Sequence, residues 1–480
     1  MKRIFCIFAA IVIIVSQSEA ALLSREHKVK VKYPDSADVE PIIKFSDSGD
    51  IAKIEAGIEN TIGVNLDDCI RLALGNNPRI QSAMQDVFAS DARVKQTWSS
   101  YFPQFSWQSG YSRIRQLQLS DVFQENLIYS YWVLGQISGS QLLYDFGVTQ
   151  NQVSIRKLDN QAYKIILTGT INDVVYEVKD AYYNLQYAIE AKNIAYQTLK
   201  DYESFYEQAR AFYLAGTNPK VDVTIAEVNL SNAKLTLIQA EHAVKIATAK
   251  LNNTIGLPYF NKYNISDKLF FSPCNITLEK AIKVTEVSRP EFKLAEVKVE
   301  QAKQNVKLIK KSWAPQFTTQ GQFEVGGRHP DSNYGYSFGG YITFPTINGM
   351  LLKHEIREAR SLHSKQEAEA INTKNRIYYE VQNAYFTLDE KKNKLPVAKL
   401  GLIQAKENYE LSAGRYKVGV GDPIERNEAQ MQYKNAQLTY YKTLYEYNSA
   451  KANLEKSMGR NICSEEIELE KNSKKRNKNG

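Results

Sequence analysis

Two stretches of this chain, Leu66–Gly256 and Leu278–Gly459, carry the same landmarks in the same order. Asn77-Pro78 corresponds to Arg289-Pro290, and Phe102-Pro103-Gln104-Phe105 to Ala314-Pro315-Gln316-Phe317, at an offset of 212 residues. Ala181-Tyr182-Tyr183-Asn184-Leu185 corresponds to Ala384-Tyr385-Phe386-Thr387-Leu388 at an offset of 203, which Gly216 with Gly419 and Gly256 with Gly459 retain. About nine residues are therefore missing from the second copy, and the hairpin loops after the Pro-Gln-Phe elements are the expected place. A duplication on this scale builds one pseudo-symmetric object from two similar halves and excludes most enzyme layouts.

Each half changes period once. Leu66–Ser100 reads as helix broken before Pro78, and the same punctuation returns at Pro290. After Pro103 and Pro315 the period falls to two. In Gln316–Val325 the odd positions are Phe317, Thr319, Gly321, Phe323 and Val325, against an all-polar even set. Tyr334, Tyr336, Phe338, Ile342 and Phe344 share a face in the partner run. The first copy is less regular: Phe105, Trp107 and Tyr111 lie opposite Gln104, Ser106 and Gln108, and Tyr129, Tyr131, Val133 and Ile137 follow. Strands are expected at about 104–142 and 316–345. Short alternating strands rich in aromatics mark a lipid-facing barrel wall. Four strands cannot close one, so the barrel must be shared between copies, eight strands from two or twelve from three.

The other long segments are helical. No proline interrupts Val148 to Tyr213, a rod of roughly 100 Å at 1.5 Å per residue. Val174, Ala181, Ala188 and Ala195 form one seven-residue series, and Val381, Leu388, Leu395 and Leu402 another, so helices pack side by side. Pro396 is expected to bend the second rod. The rods end at Tyr213-Leu214-Ala215-Gly216 and Tyr416-Lys417-Val418-Gly419, where glycine supplies the left-handed conformation. Asn218-Pro219 and Asp422-Pro423 then read as N-cap and first turn, with Glu425 at capping-box spacing from Asp422. Asp222, Glu425 and Glu428 stabilise these first turns as helix-dipole acids and, repeated around an axis, form acidic rings that favour cations.

The ends and the composition set further bounds. Lys2 and Arg3, the apolar run Ile4–Val15 and Ser18-Glu19-Ala20 read as a signal peptide over residues 1–20. An extended leader (21–65), a linker (257–277) and a basic, solvated tail (460–480) complete the plan. No apolar stretch beyond residue 20 is long enough for a membrane helix, so a membrane would have to be crossed by strands. The formal charge is +8, with Lys471, Lys474, Lys475, Arg476 and Lys478 gathered in the tail, and no nucleic-acid partner is expected. Cys69, Cys274 and Cys463 form neither a disulfide framework nor a zinc motif, although one bridge between Cys274 and Cys463 is open. There is no phosphate loop, no metal spacing among His27, His242, His329, His354 and His363, and hence no expected cofactor or catalysis.

The order of these landmarks over some 390 residues resembles the TolC-like outer-membrane efflux proteins. Leu66–Pro78 (Leu-x-x-x-Ile-x-x-Ala-Leu-x-x-Asn-Pro), Pro103, Pro315, Asp145-Phe146-Gly147 and the two Tyr-x-x-Gly turns carry the likeness. The resemblance implies a mainly α protein with membrane β structure, in which each half supplies a helix, a strand hairpin and a long helix pair. It further implies a homotrimer whose twelve-stranded barrel in outer-membrane lipid continues into a periplasmic α-helical barrel with an equatorial region. Its implied partners are a periplasmic adaptor (membrane fusion) protein and a proton-driven or ATP-driven inner-membrane pump. By position, Asp222, Glu425 and Glu428 match the family's aperture acids. Tyr213, Gly216, Tyr416 and Gly419 match its tips and adaptor contacts, and Pro103 and Pro315 its helix–strand transitions. Glutamates stand at 425 and 428 where aspartates are common, and Gly421 stands where a basic residue is common, which puts a gating network built on that cation in question. The expected role is a passive exit duct for efflux or type I secretion. The competing reading is a periplasmic or surface coiled-coil scaffold without a pore.

Overall fold

The computed structural model describes residues 63–119, 124–257, 264–265, 269–327, 333–345 and 348–460. The expected signal peptide, most of the leader and the tail beyond Arg460 lie outside the described residues.

Each half runs as expected from the punctuation. The first comprises β1 (Gly63–Val64), α1 (Leu66–Asn76), α2 (Pro78–Trp98), β2 (Gln104–Leu119), β3 (Gln124–Tyr144), α3 (Val148–Leu214) and α4 (Lys220–Ile255). The second comprises β4 (Asn264–Ile265), α5 (Leu278–Ser288), α6 (Pro290–Lys311), β5 (Gln316–Gly327), β6 (Asn333–Thr343), α7 (Leu351–Lys417) and α8 (Pro423–Met458). The long helices match in length, 67 residues for α3 and α7 and 36 for α4 and α8. Helix α7 runs unbroken through Pro396.

Where α2 and α6 begin, the duplication is written in contacts. Asn77 Nδ2 donates to the Thr254 carbonyl at 2.7 Å, and its counterpart Arg289 donates to the counterpart carbonyl, Ser457, at 2.8 Å. Gly256 and Gly459 follow those carbonyl turns at φ 89° and 71°. A Cβ on either would lie within 3 Å of the backbone just before the facing proline, 2.7 Å from Asn76 O and 2.9 Å from Ser288 O. One charge pair is preserved with its arginine moved. In the first half Arg79 meets Glu177 at 2.7 Å, and in the second Arg289 meets Glu380 at 2.6 Å and Glu291 at 3.0 Å. The Arg79 side chain is half-exposed and that of Arg289 is buried. The first pair is thus screened, whereas in the second the arginine is desolvated and coupled to a backbone contact while its two acids stay partly in solvent.

The missing residues are in the strands, which corrects the expectation that the hairpin loops absorb them. Strands β2 and β3 have 16 and 21 residues, β5 and β6 have 12 and 11. The segments between the partners are 120–123 and 328–332, nearly equal in length. The four strands form one antiparallel sheet in the order β2-β3-β5-β6. Trp107, Ile137, Phe323 and Tyr336 lie in one cross-strand row on one face, and Ser106, Ser138, Gln322 and Ser337 in the neighbouring row on the other.

The helical seams also follow the heptads. Val174, Val178, Ala181, Leu185 and Ala188 are buried on α3, and Val381, Leu388 and Leu395 on α7. A core of Ile377, Val381, Ala384, Tyr447, Leu454 and Met458 joins α7 to α8 and takes in Cys274 and Ile276 from the linker. Cys274 is disulfide-bonded with its partner outside the described residues, and Cys69 is a free, buried thiol. Burial, with Asp68 adding to it, pushes that thiol up to about 12, so it packs as a small apolar group.

Candidate functional site

The functional features lie at the two ends of the long helices. At one end Pro103 and Pro315 stand immediately before β2 and β5. Each proline ends the preceding helical path and sets the chain for a strand. On the way back, Asp145 caps α3, its Oδ2 accepting from Thr149 N at 2.6 Å and its Oδ1 from Gly147 N at 3.0 Å. Phe146 adopts φ 55° to make that entry.

The sheet exposes its aromatic face. Phe105, Trp107, Tyr334, Tyr336 and Phe338 are all exposed, Phe338 at 82 %. The opposite face is built of Gln, Ser and Thr, with Ser106 and Ser138 hydroxyls 2.7 Å apart. Glu324 on that face accepts from the Tyr131 hydroxyl at 2.5 Å. The alternation in β3 breaks at a register shift between Val133 and Gly135. Trp132 therefore lies with its ring 4.6 Å from that of Tyr111, tilted by 50°, on the aromatic face, while Tyr131 turns to Glu324. Strand β6, with 11 residues, matches the roughly 9–11 residues that cross a hydrocarbon layer, β5 exceeds it by one residue, and β2 and β3 exceed it well. Among the described residues, both outer strands, β2 and β6, keep an unpaired edge.

At the other end the two tips share a turn. Gly216 N bonds to Tyr213 O and Thr217 N to Phe212 O. Gly419 N bonds to Tyr416 O and Val420 N to Arg415 O. Gly216 and Gly419 have φ 76° and 80°, the left-handed cap expected. Below the turn the tips diverge. Tyr213 is 43 % exposed, whereas Tyr416 is 1 % exposed, with its ring 5.2 Å from Phe205 and 5.9 Å from Phe212, both on α3. Burial, then the Asp222 charge, raises the Tyr416 phenol above its ordinary range.

The acids separate as well. Asp222 is buried and its Oδ2 accepts from Asn218 Nδ2 at 2.9 Å. Its carboxylate thus meets its own helix start rather than open space. Asn218 does not cap α4, as its placement before Pro219 predicts: the helix starts at Lys220, Pro219 occupies the cap, and the Asn218 amide is spent on Asp222. Asp422 does cap α8, accepting from Ile424 N at 2.8 Å. Glu425 does not close a capping box and instead binds Arg415 at 3.0 Å, while Glu428 is exposed.

Sequence reasoning missed Arg426. It is buried, with its guanidinium 4.2 Å over the Phe205 ring and NH2 3.3 Å from the Asp201 carbonyl. Gln430 Nε2 donates to Asp201 Oδ2 at 3.2 Å and the Tyr202 hydroxyl to Asn427 Oδ1 at 2.9 Å. Burial holds the Arg426 guanidinium below its usual value and the Asp201 carboxyl above its own. The close approach of Gly421 explains why no cation stands there. A Cβ on it would lie 2.6 Å from Tyr416 N, and the basic groups near that turn are Arg415, Lys417 and Arg426 instead.

Among the described residues, no helix is long and apolar enough to cross a membrane, and no group of His, Cys, Asp and Glu could hold a metal.

Comparison with known proteins agrees with this architecture. The family model described as "Outer membrane efflux protein" matches residues 69–257 and 281–460. "Toxin and drug export protein A" of Aggregatibacter actinomycetemcomitans is 23% identical over 290 residues, which are 58% of this chain and 62% of that protein. The matched part of the chain thus spans somewhat under two thirds of that relative. A membrane protein from Pseudomonas aeruginosa superposes with a TM-score of 0.71 at 17% identity, covering 84% of this chain and 92% of its own. The Campylobacter jejuni CmeC outer membrane channel gives 0.70 at 18% identity over 84% and 89%. The open state of the Neisseria gonorrhoeae MtrE outer membrane channel gives 0.68 at 19% over 82% and 89%.

Proposed function

The chain belongs to the outer membrane efflux protein family, and from that premise we propose that it is a passive exit duct carrying cargo across the outer membrane. The observation that carries this reading is the sheet with one exposed aromatic face, one polar face and two open edges, leading directly into two 67-residue helices. An open edge in lipid leaves backbone groups without partners, so β6 of one copy pairs with β2 of the next. Three copies give twelve strands and a water-filled lumen, and the family's architecture favours that homotrimer over two copies. Val221, Val228 and Leu235, exposed at seven-residue spacing on α4, supply the matching seam between helices of different copies.

In this reading the tips form the far aperture. Exposed Glu428 and half-exposed Glu425 supply its negative charge, and Tyr213 and Gly216 its contact with a periplasmic adaptor. Asp222 holds the turn. An inner-membrane pump supplies the energy, in keeping with a sequence that carries no phosphate-binding loop motif. The scaffold reading leaves the aromatic face in water, where a patch of that size invites aggregation. Reconstitution of the purified chain in planar bilayers tests the proposal. Trimeric, ohmic pores are expected, and in the E425A/E428A variant conductance rises and block by divalent cations weakens. Absence of pores from both proteins overturns it.

A further inference from the structure

The helices carry their charge unevenly. The four helix ends that abut the sheet are 91–98 of α2, 148–159 of α3, 300–311 of α6 and 351–360 of α7. Together these windows hold eleven Lys or Arg against five Asp or Glu. Twelve-residue windows at the tips (203–214, 220–231, 406–417 and 423–434) hold seven against eight.

The basic ends lie at one level. The Lys311 ammonium donates to the Gly147 carbonyl at 3.2 Å, Gln301 to Asp159 at 2.5 Å, and Lys157 sits 5.9 Å from the Trp98 ring. These contacts tie α6 to α3 and α3 to α2, and α7 packs on α6, so the windows form a continuous collar. Lys95, Arg156 and Lys303 are engaged by acids within one turn of their own helices. Lys307, Lys310, Lys353, Arg357 and Arg360 are exposed and have no ion pair among the described residues. Directly beside them, toward the sheet, Trp98, Phe102, Phe146, Trp313 and Phe344 are exposed. An aromatic girdle bordered by unpaired cations on the side away from the apolar face has the chemistry of a headgroup zone.

Resting on the membrane-spanning reading of the sheet, we infer that this collar binds the phosphate headgroups of anionic phospholipids in the leaflet next to the helices. The aromatic girdle fixes the depth of the chain, and the cations select the lipid that surrounds it. The attraction is electrostatic and falls off within a Debye length, so only residues in the last turns before the strands contribute. Lysine and arginine suit the task because their alkyl stems lie along apolar surface while their charges reach the interface.

Tryptophan fluorescence tests this in the full chain reconstituted into bilayers. Replacing Trp107 and Trp132 by Phe leaves Trp98 and Trp313, both in the girdle, as the reporters. Quenching by brominated phosphatidylglycerol is compared with quenching by brominated phosphatidylcholine at equal mole fraction. The expected result is a preference of about fivefold for the anionic lipid, the effect of one basic residue near a charged surface. It falls toward unity in 1 M salt and in the K307Q/K310Q/R357Q variant, and persists in K406Q/R415Q/K417Q, which removes as many cations at the tips. Equal quenching by the two lipids, or a preference that survives K307Q/K310Q/R357Q, overturns the inference. Quenching by neither lipid overturns the membrane-spanning reading itself, because neutral brominated lipid reaches a girdle whatever its charge.

Discussion

At Tyr213 and Tyr416 the two repeats place the same residue, in the same glycine-capped turn, in opposite environments. Tyr213 is exposed beside its turn, whereas Tyr416 is buried between Phe205 and Phe212 of the other repeat. The backbone of a tip is thus a property of each repeat, but the packing of a tip is a property of the pair. The α7–α8 tip is held by α3, and the α3–α4 tip presents its own tyrosine outward. Duplication supplied two equal turns, and substitutions around them made one turn a packed joint and the other a free surface.

The largest test of that difference is truncation. Tyr416→Ala is expected to cost about 3–5 kcal/mol, as large aromatic deletions in cores do, and Tyr213→Ala to stay within about 0.5 kcal/mol. Hydrogen exchange of the amides around each turn reads the two effects separately from the rest of the molecule. Tyr416→Phe refines the point. The Tyr416 hydroxyl has no hydrogen-bond partner among the described residues, so its removal is expected to be neutral or slightly stabilising. Equal losses for the two alanine variants would remove the distinction between joint and surface.

The next effect separates conformation from contact. Gly216→Ala and Gly419→Ala each force a side chain into the left-handed region and are expected to cost a matched ~1–2 kcal/mol. Gly421→Ala has no such strain but drives a Cβ to 2.6 Å from Tyr416 N, and about 1–3 kcal/mol of overpacking is expected at the second tip alone. The measurement is again local exchange, supported by the thermal midpoint. A silent Gly421→Ala variant would mean that the backbone approach relaxes freely and that a basic residue could stand there.

What could be read in advance follows the same division. Turns, caps and rods were legible because glycine, proline and the heptad act over a few residues: Gly216, Gly419, Pro78 and Pro290 stand where they were expected. Arg426 was not legible. Its partners Asp201 and Phe205 are more than two hundred residues away on the other repeat, and its own counterpart in the first repeat is Val223. No periodicity announces a buried cation of that kind. The span of β2 and β3 lies close to the expected 104–142, but the pattern of faces within β3 was hidden by a related cause. The shift near Leu134 exchanges the two faces of β3, so simple alternation fails halfway along the strand. The position of Asn218 offers a capping role, and only the fold shows Asp222 drawing its amide away.

A smaller effect concerns the exposed pair on the second tip. Arg415 and Glu425 are 3.0 Å apart with both side chains about half in solvent, so Arg415→Gln is expected to cost roughly 0.2–1 kcal/mol. That loss disappears in high salt. A larger, salt-insensitive loss would mean that the pair is shielded within the assembled aperture.

The smallest expected effect is a response to pH confined to the joint. Burial raises the Asp201 carboxyl above its ordinary value of 3.8, outweighing the Gln430 hydrogen bond and the Arg426 charge. The folded joint therefore binds that proton more readily than the unfolded chain does. Its contribution to stability is largest below the ordinary carboxylate value and is lost as pH rises through the raised one. Elsewhere on α3, Asp180 has the opposite shift. Burial raises it, but Lys250, Ser449 and Tyr445 together bring it below the ordinary value, so its contribution is lost as pH falls. A global melting curve mixes the two carboxyls. Exchange of amides around Asp201 and Arg426 separates them: protection there is expected to increase on acidification from neutral pH, while protection around Asp180 and Lys250 does not. Asp201→Asn should abolish the rise without changing the first tip. If acidification instead loosens the joint, the Arg426 attraction dominates burial, and the second tip is held by charge as well as by the packing of Tyr416.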